Sequence, residues 1–362
     1  MSQSVGTGTG NGVTRFQWID NARGVGIVLV VFGHVIISSM NVGQIERQGF
    51  WADIVFYIYT FHMSVFMFLS GIFVTRRIND SKKRFIYNIW ETIIWPYLFW
   101  GFWVLLSEQI TARFVERTPV ISRSSVGFNN IDISLLWTPI AWLWFLWAIA
   151  LFHIVAIFLQ NRPRVLLFIG ICVLPLSAVF KMEFFPYQLS HFLVFYATGV
   201  MGGPFILKSI KSVSWPIIVG LGVLSALLSI PAFGLVGFTW SEFTPAWSLA
   251  STPAGIAGVM FVVFLSQWQP LQNVRIFSFL GRRSMAIYVT HIFFISAVRI
   301  LLSKAFHLSQ FFPWVFFSCA IAAFAGPLVI FFVAEKLRLE VVFGLGRPLR
   351  VHGVAHGRQV EA

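Results

Sequence analysis

Ten apolar runs divide the chain, at about 19–40, 54–75, 87–107, 138–159, 164–180, 189–207, 213–231, 247–266, 284–302 and 313–334. Most have the length of about 20 residues that a helix needs to cross a bilayer. Lipid offers the backbone no hydrogen-bond partners, so each crossing segment must satisfy its own N–H and C=O groups. No alternating pattern of the β-barrel kind is present. The expected fold is therefore all-α, a polytopic membrane helix bundle of about ten transmembrane helices. Composition agrees: only 11% of the 362 residues are charged, against roughly 25% in a soluble protein. Residues 1–14, rich in Gly, Ser and Thr, are expected to be a disordered tail. Residues 15–340 are expected to form one membrane domain and residues 341–362 a cytoplasmic tail. No secretory signal is evident, and the first run reads as a retained span.

The net charge of +13 has two explanations, a nucleic-acid partner or membrane topology, and its placement decides between them. With the N-terminus cytoplasmic, all 26 basic residues but Arg47, Arg113, Arg117, Arg123, Lys181, Arg299 and Lys304 fall on the inner side. That bias is the positive-inside pattern. It places both termini in the cytoplasm and leaves no reason to expect nucleic acid. Trp51, Trp137, Trp142, Trp215, Trp240, Trp247 and Trp314 crowd the span ends, as interfacial anchors do. The long outer connection 108–137 is expected to be functional or mobile. Cys172 and Cys319 lie within apolar runs and suggest neither a disulfide nor a metal framework. The histidines lack an H-E-x-x-H pairing, so no metal is expected.

Four constellations carry polar chemistry into these spans. In the first run, Arg23 and His34 are eleven positions apart, which puts them on one helix face about 16 Å apart along the axis. The residues alone leave two readings for His34, an interhelical hydrogen-bonder or a general base, since imidazole titrates near neutrality. In the second run, Tyr59, His62, Phe66 and Ser70 share a face, and His62 is expected near the depth of His34. Ser70 reads more simply as a small packing residue. The connection TRRINDSKKR carries Arg76, Arg77, Lys82, Lys83 and Arg84, suited to phosphate groups or to topology and anionic lipid. In GRRSMAIYVTHIFF, Ser284, Tyr288, His291, Ile295 and Arg299 form a polar stripe that should face the bundle interior. His291 is expected nearer the inner surface than His34. His153, His191 and His307 read as structural or interfacial.

The blocks IDNARGVGIVLVVFGH, FHMSVFMFLSG, the basic stretch leading to PYLFW, WLWFLWAIALF and LGRRSMAIYVTH give the chain a resemblance. It resembles the acyltransferase-3 family of integral-membrane acyltransferases, in particular the fucose-4-O-acetylase-like and exopolysaccharide acetylase branch. The blocks stand in family order and cover most of the chain. The resemblance implies a ten-helix core that moves an acyl group from cytosolic acyl-CoA to a glycan hydroxyl at the outer face. His34 matches the family's essential histidine and Arg23 its partner arginine. No hydrolase-like domain is appended, and TRRINDSKKR contains no clean Arg-x-x-Arg.

On this resemblance the expected activity is an O-acetyltransferase of a bacterial inner membrane, acting in exopolysaccharide biosynthesis. Acetyl-CoA is a donor substrate rather than a permanently bound cofactor, and succinyl remains open as the acyl group. The expected partners are acyl-CoA, a glycan acceptor, the bilayer and polysaccharide assembly proteins. The donor phosphates are expected near Arg76, Arg77, Lys82, Lys83 and Arg84, with Arg282 and Arg283. His34 and Arg23 are the expected catalytic residues, with Tyr59, His62, Ser70, Tyr288 and His291 lining the substrate cavity. Tyr59 and His62 are candidates for oxyanion contacts, and an acyl-enzyme on Ser70 or His34 is a second route. A transporter or flippase of a glycan intermediate is the alternative function, and a non-catalytic scaffold a third.

Overall fold

The computed structural model describes residues 16–114, 139–160, 162–179, 184–209, 214–236, 245–305 and 312–345. The 1–14 tail, most of the 108–137 connection, Trp240, His307 and the chain beyond 345 lie outside the described residues. Within them there is no strand. The helices in order are α1 Gln17–Asn41, α2 Phe50–Gly71, α3 Val74–Asp80, α4 Lys82–Ile89, α5 Trp95–Phe114, α6 Trp144–Phe158 and α7 Pro163–Val179. They continue with α8 Phe184–Ser209, α9 Trp215–Val236, α10 Pro245–Gln267, α11 Gln269–Asn273, α12 Arg275–Arg282, α13 Ser284–Ala305 and α14 Phe312–Lys336.

Among the described residues, eight helical stretches are long and apolar enough to cross a membrane, and α7 and α8 add two shorter apolar segments. These ten coincide with the ten apolar runs. The direction of two of them can be read from side-chain contacts. His291 of α13 meets His34 of α1, and Arg299 meets Ser39 and Gln44 further along. The two helices therefore run parallel, as two odd-numbered crossings must.

The apolar faces sort the helices radially. The apolar stretch of α2 is 72% buried and that of α1 is 61% buried, against 22% for α9 and 33% for α14. In lipid an exposed apolar side chain costs nothing, so α9 and α14 can present Leu227, Ile230, Phe317 and Ile321 outward. Burial of α1 and α2 is instead secured by close backbone contact at small residues. A Cβ on Gly199 of α8 would stand 2.1 Å from the Phe68 carbonyl oxygen of α2. One on Gly281 of α12 would stand 1.7 Å from the Asp20 carbonyl oxygen of α1.

Three features depart from the sequence reading. The stretch before the ninth span is not a plain connection, because α12 forms there and packs on the start of α1. Trp142 and Trp247 stand at span ends, as expected, but face the protein rather than outward. Trp247 is 5% exposed, and the Trp142 indole donates to the Val289 carbonyl at 3.4 Å. A π-helical turn, Trp90–Ile94, precedes α5. Pro96 follows it, and a proline cannot donate in a regular helical ladder. Beyond α14, the 3-10 turn Glu340–Phe343 returns to the bundle. There Phe343 is fully buried, stacked 5.4 Å from Trp100, and Val342 accepts from the Trp100 indole at 2.8 Å.

Candidate functional site: a histidine pair between the first and ninth crossings

The site begins with how α1 and α2 meet. Gly33 leaves room for the Tyr59 ring, and Gly26 leaves room for Phe66; an added Cβ at either would approach the ring at 2.8 Å. The two helices run antiparallel at these contacts. His34 therefore lies beside Tyr59, with ring centroids 6.2 Å apart. His62 is one turn along α2, its ring 4.5 Å from that of Tyr59. The expected shared depth of the two histidines is what the helices show, to within about 6 Å of rise.

His291 completes the cluster. It is fully buried, and its Nε2 stands 3.3 Å from the Nδ1 of His34. The expectation that His291 lies nearer the inner surface is thus corrected. With α12 packed on α1 just before the ninth span, α13 presents His291 at the level of His34. The rest of the stripe faces inward as expected: Tyr288 is 6% exposed, Ile295 0% and Arg299 4%. Ser284 is half-buried.

The hydrogen bonds fix the tautomers. His291 Nδ1 faces two backbone carbonyls, Tyr288 at 2.8 Å and Ile287 at 3.0 Å. Carbonyls only accept, so Nδ1 carries the hydrogen and the neutral ring presents a lone pair at Nε2. His34 Nδ1 faces that lone pair and the Val30 carbonyl at 2.9 Å. Both accept, so His34 also carries its hydrogen on Nδ1, leaving Nε2 basic. His62 follows the same rule, with Nδ1 donating to the Ile58 carbonyl at 2.9 Å. In all three, the i−4 carbonyl of the residue's own helix holds the ring.

The third wall comes from the start of α6. The Tyr288 hydroxyl donates to the Trp142 carbonyl. Phe145 packs edge-on to Tyr288 at 5.5 Å and to Phe66 at 5.8 Å. These contacts join α2, α6 and α13 around the histidines. WLWFLW carried family resemblance in the sequence but gave no hint that its backbone would hold a tyrosine of another helix. Asn21 was also missed: it is fully buried, and neither end of its amide has a partner.

Other candidates lie elsewhere. Arg23 is half-buried, beside the place where Gly24 meets the Phe277 backbone of α12, and so about 16 Å along α1 from His34. Ser70 donates to the Phe66 carbonyl of its own helix at 2.7 Å and lies about 12 Å along α2 from His62. Arg76, Arg77, Lys82, Lys83, Arg84 and Arg282 are all exposed. They share one end of the bundle, tied together by the Phe16–Phe73 stack at 6.1 Å and the Gln17–Gln272 hydrogen bond at 2.7 Å. Ser81 caps α4 there by accepting from the Arg84 amide. Arg77 lies over the Phe73 ring at 5.9 Å, and Arg283 is enclosed by more rings. Its guanidinium lies over the rings of Phe279, Phe332 and Phe331, at 4.1, 5.1 and 5.3 Å. Among the described residues, no group of three His, Cys, Asp or Glu side chains stands together.

The arrangement thus has a basic, exposed end and a buried imidazole pair with one basic nitrogen directed away from the pair. It suits proton removal from a hydroxyl in a site that excludes most water. A family model described as an acyltransferase domain matches residues 16–332. No curated protein matches the chain, and no solved structure does. The family model covers most of the sequence and all four polar constellations, so the chain belongs to the acyltransferase-3 family of membrane acyltransferases.

Proposed function

We propose that the protein moves an acetyl group from cytosolic acetyl-CoA to a hydroxyl of an exported glycan, such as an exopolysaccharide or its lipid-linked repeat unit. The observation that carries the reading is the His34–His291 pair. With both Nδ1 hydrogens committed, His34 Nε2 is the basic atom. It takes the proton of the glycan hydroxyl as the oxygen attacks the thioester carbonyl. The C–S bond breaks, the sugar ester forms, and the proton passes to the departing thiolate of CoA. His291 holds the His34 ring and accepts from its Nδ1–H while the ring is cationic, so it is a positioning residue. Transfer is direct, and most of the rate comes from holding donor and acceptor together.

The exposed cations at the α3–α4 end supply the donor side. Arg76, Arg77, Lys82, Lys83, Arg84 and Arg282 meet the CoA phosphates there, at the cytoplasmic face of a bacterial inner membrane. Arg23 lies between that end and His34 and guides the donor. Tyr59, His62 and Tyr288 line the acyl pocket. The test uses protein in nanodiscs with acetyl-labelled acetyl-CoA and a panel of oligosaccharides. Covalent label on the sugar supports the reading, and a transporter would leave none. A correctly inserted His34→Ala protein that still labels the sugar would reject His34 as the base.

A further inference from the structure

Among the described residues, Arg299 is a cation buried without a carboxylate partner. It is 4% exposed. Its Nη1 donates to Gln44 Oε1 at 2.7 Å and its Nη2 to Ser39 Oγ at 3.1 Å. Both partners are neutral, and the buried Nε has no partner. Arginines near span ends usually reach outward to headgroups or water. This one turns inward against α1. Joining two helices needs only a neutral polar pair, whereas a guanidinium brings a full charge that is costly to bury unpaired. Such a group is well suited to an anion that arrives with a ligand.

Its position gives the ligand's identity. Arg299 lies eight residues beyond His291, about 12 Å further along α13, away from the basic end where α3, α4 and α12 meet. Two more buried hydroxyls on this part of α1 and α13, Ser38 Oγ and Ser296 Oγ, have no partner. The histidine pair and Arg299 thus stand on one buried side of α13, with Arg299 further from the basic end. We propose that Arg299 is an acceptor subsite, which holds a carboxylate or phosphate of the glycan while the target hydroxyl lies at His34. The proposal rests on the reading of the end opposite the cations as the acceptor side, and it assigns the acceptor a class: an anionic glycan.

The test measures binding, not turnover. Protein in nanodiscs is titrated with glucose, glucuronate and glucose 1-phosphate at 0.15 M salt, where the exposed cations are largely screened. The expected result is at least about tenfold tighter binding of one or both anionic sugars than of glucose, because a hydrogen bond to a charged group is worth a factor of that order. Arg299→Gln should erase the difference, and Arg299→Lys should keep a weakened preference. Better binding of glucuronate identifies a carboxylate acceptor, and better binding of glucose 1-phosphate a phosphate one. Equal binding of all three sugars to the wild type overturns the proposal, as does a preference that survives in Arg299→Gln. Thermal unfolding checks the fold of each variant. If Arg299→Gln does not fold, the wild-type comparison and Arg299→Lys decide. His34→Ala should retain the preference, so failure of the transfer reaction is read separately.

Discussion

His34 Nδ1 and His291 Nε2 stand 3.3 Å apart, across 257 positions of sequence. Each ring is also held by carbonyls of its own helix, so the pair is preorganised from both sides. The arrangement assigns different roles to two residues of the same type. His291 has spent its donor on the backbone and can only accept. His34 donates to His291 and keeps the nitrogen that can take a proton.

The first prediction follows from that coupling. His34→Ala should reduce acyl transfer by about 10²–10⁴-fold, the range for loss of a general base. His291→Ala should reduce it less, because His34 Nδ1 can still donate to Val30. The double variant should be no slower than His34→Ala, since residues acting as a unit are not additive. Single-turnover rates in nanodiscs would show this. Losses that multiply would mean the two histidines act independently.

Ser70→Ala should leave the transfer rate within about twofold of wild type. The Ser70 hydroxyl is bonded to the Phe66 carbonyl, which is an ordinary back-bond in a helix. No acyl adduct should appear on Ser70 when the protein is incubated with acetyl-CoA alone and analysed by mass spectrometry. A trapped acetyl-serine would replace direct transfer with a covalent route.

The basic end should separate into two kinds of cation. Combined Lys82→Gln, Lys83→Gln and Arg84→Gln should raise the KM for acetyl-CoA several-fold with little change in kcat, and the effect should shrink at high salt. Arg283→Gln should instead lower the unfolding temperature in detergent. It removes cation–π contacts with Phe279, Phe331 and Phe332, worth about 0.5–2 kcal/mol each.

Helix contact at α1 is expected to tolerate little added bulk. Gly281→Ala places a methyl group against the Asp20 backbone, and Gly24→Ala places one against the Phe277 backbone. Neither backbone can rotate away, so each substitution should cost about 1–3 kcal/mol. Gly33→Ala meets the edge of the Tyr59 ring, which can shift. Its stability loss should be smaller, while acyl transfer falls because Tyr59 flanks His34. Parallel measurements of thermal unfolding and activity would separate these outcomes.

Phe343 should matter although it follows the last crossing. Phe343→Ala should destabilise the fold by about 3–5 kcal/mol, as for other buried aromatics. Truncation after Leu339 should lower the unfolding temperature further, because it also removes the Val342 carbonyl that accepts from Trp100.

Much of the bundle was legible because the bilayer restricts what an apolar run can be. A segment such as 284–302 has few alternatives to a helix once lipid surrounds it. The stripe of Tyr288, His291 and Arg299 followed from helical period alone. Other features were hidden because they depend on contacts between distant segments. Trp142 reads as an interfacial anchor until α6 is seen to begin against α13. Residues 275–282 read as a connection because the contact between Gly24 and α12 gives no local signal. Phe343 sits in what reads as a cytoplasmic tail, and packing against Trp100 and Phe331 makes it core.

By itself, then, the sequence determined the ten apolar helical segments, the connections that carry the cations and the placement of His34 within the first span, because these rest on hydrophobicity, charge and helical period. The tertiary structure alone decided that His291 is the partner of His34, which nitrogen each ring leaves basic, and that Arg299 is buried against neutral groups. Hydrogen-bond geometry between helices has no one-dimensional signature. It exists only once glycine-lined contacts have set how far each helix slides along its neighbours.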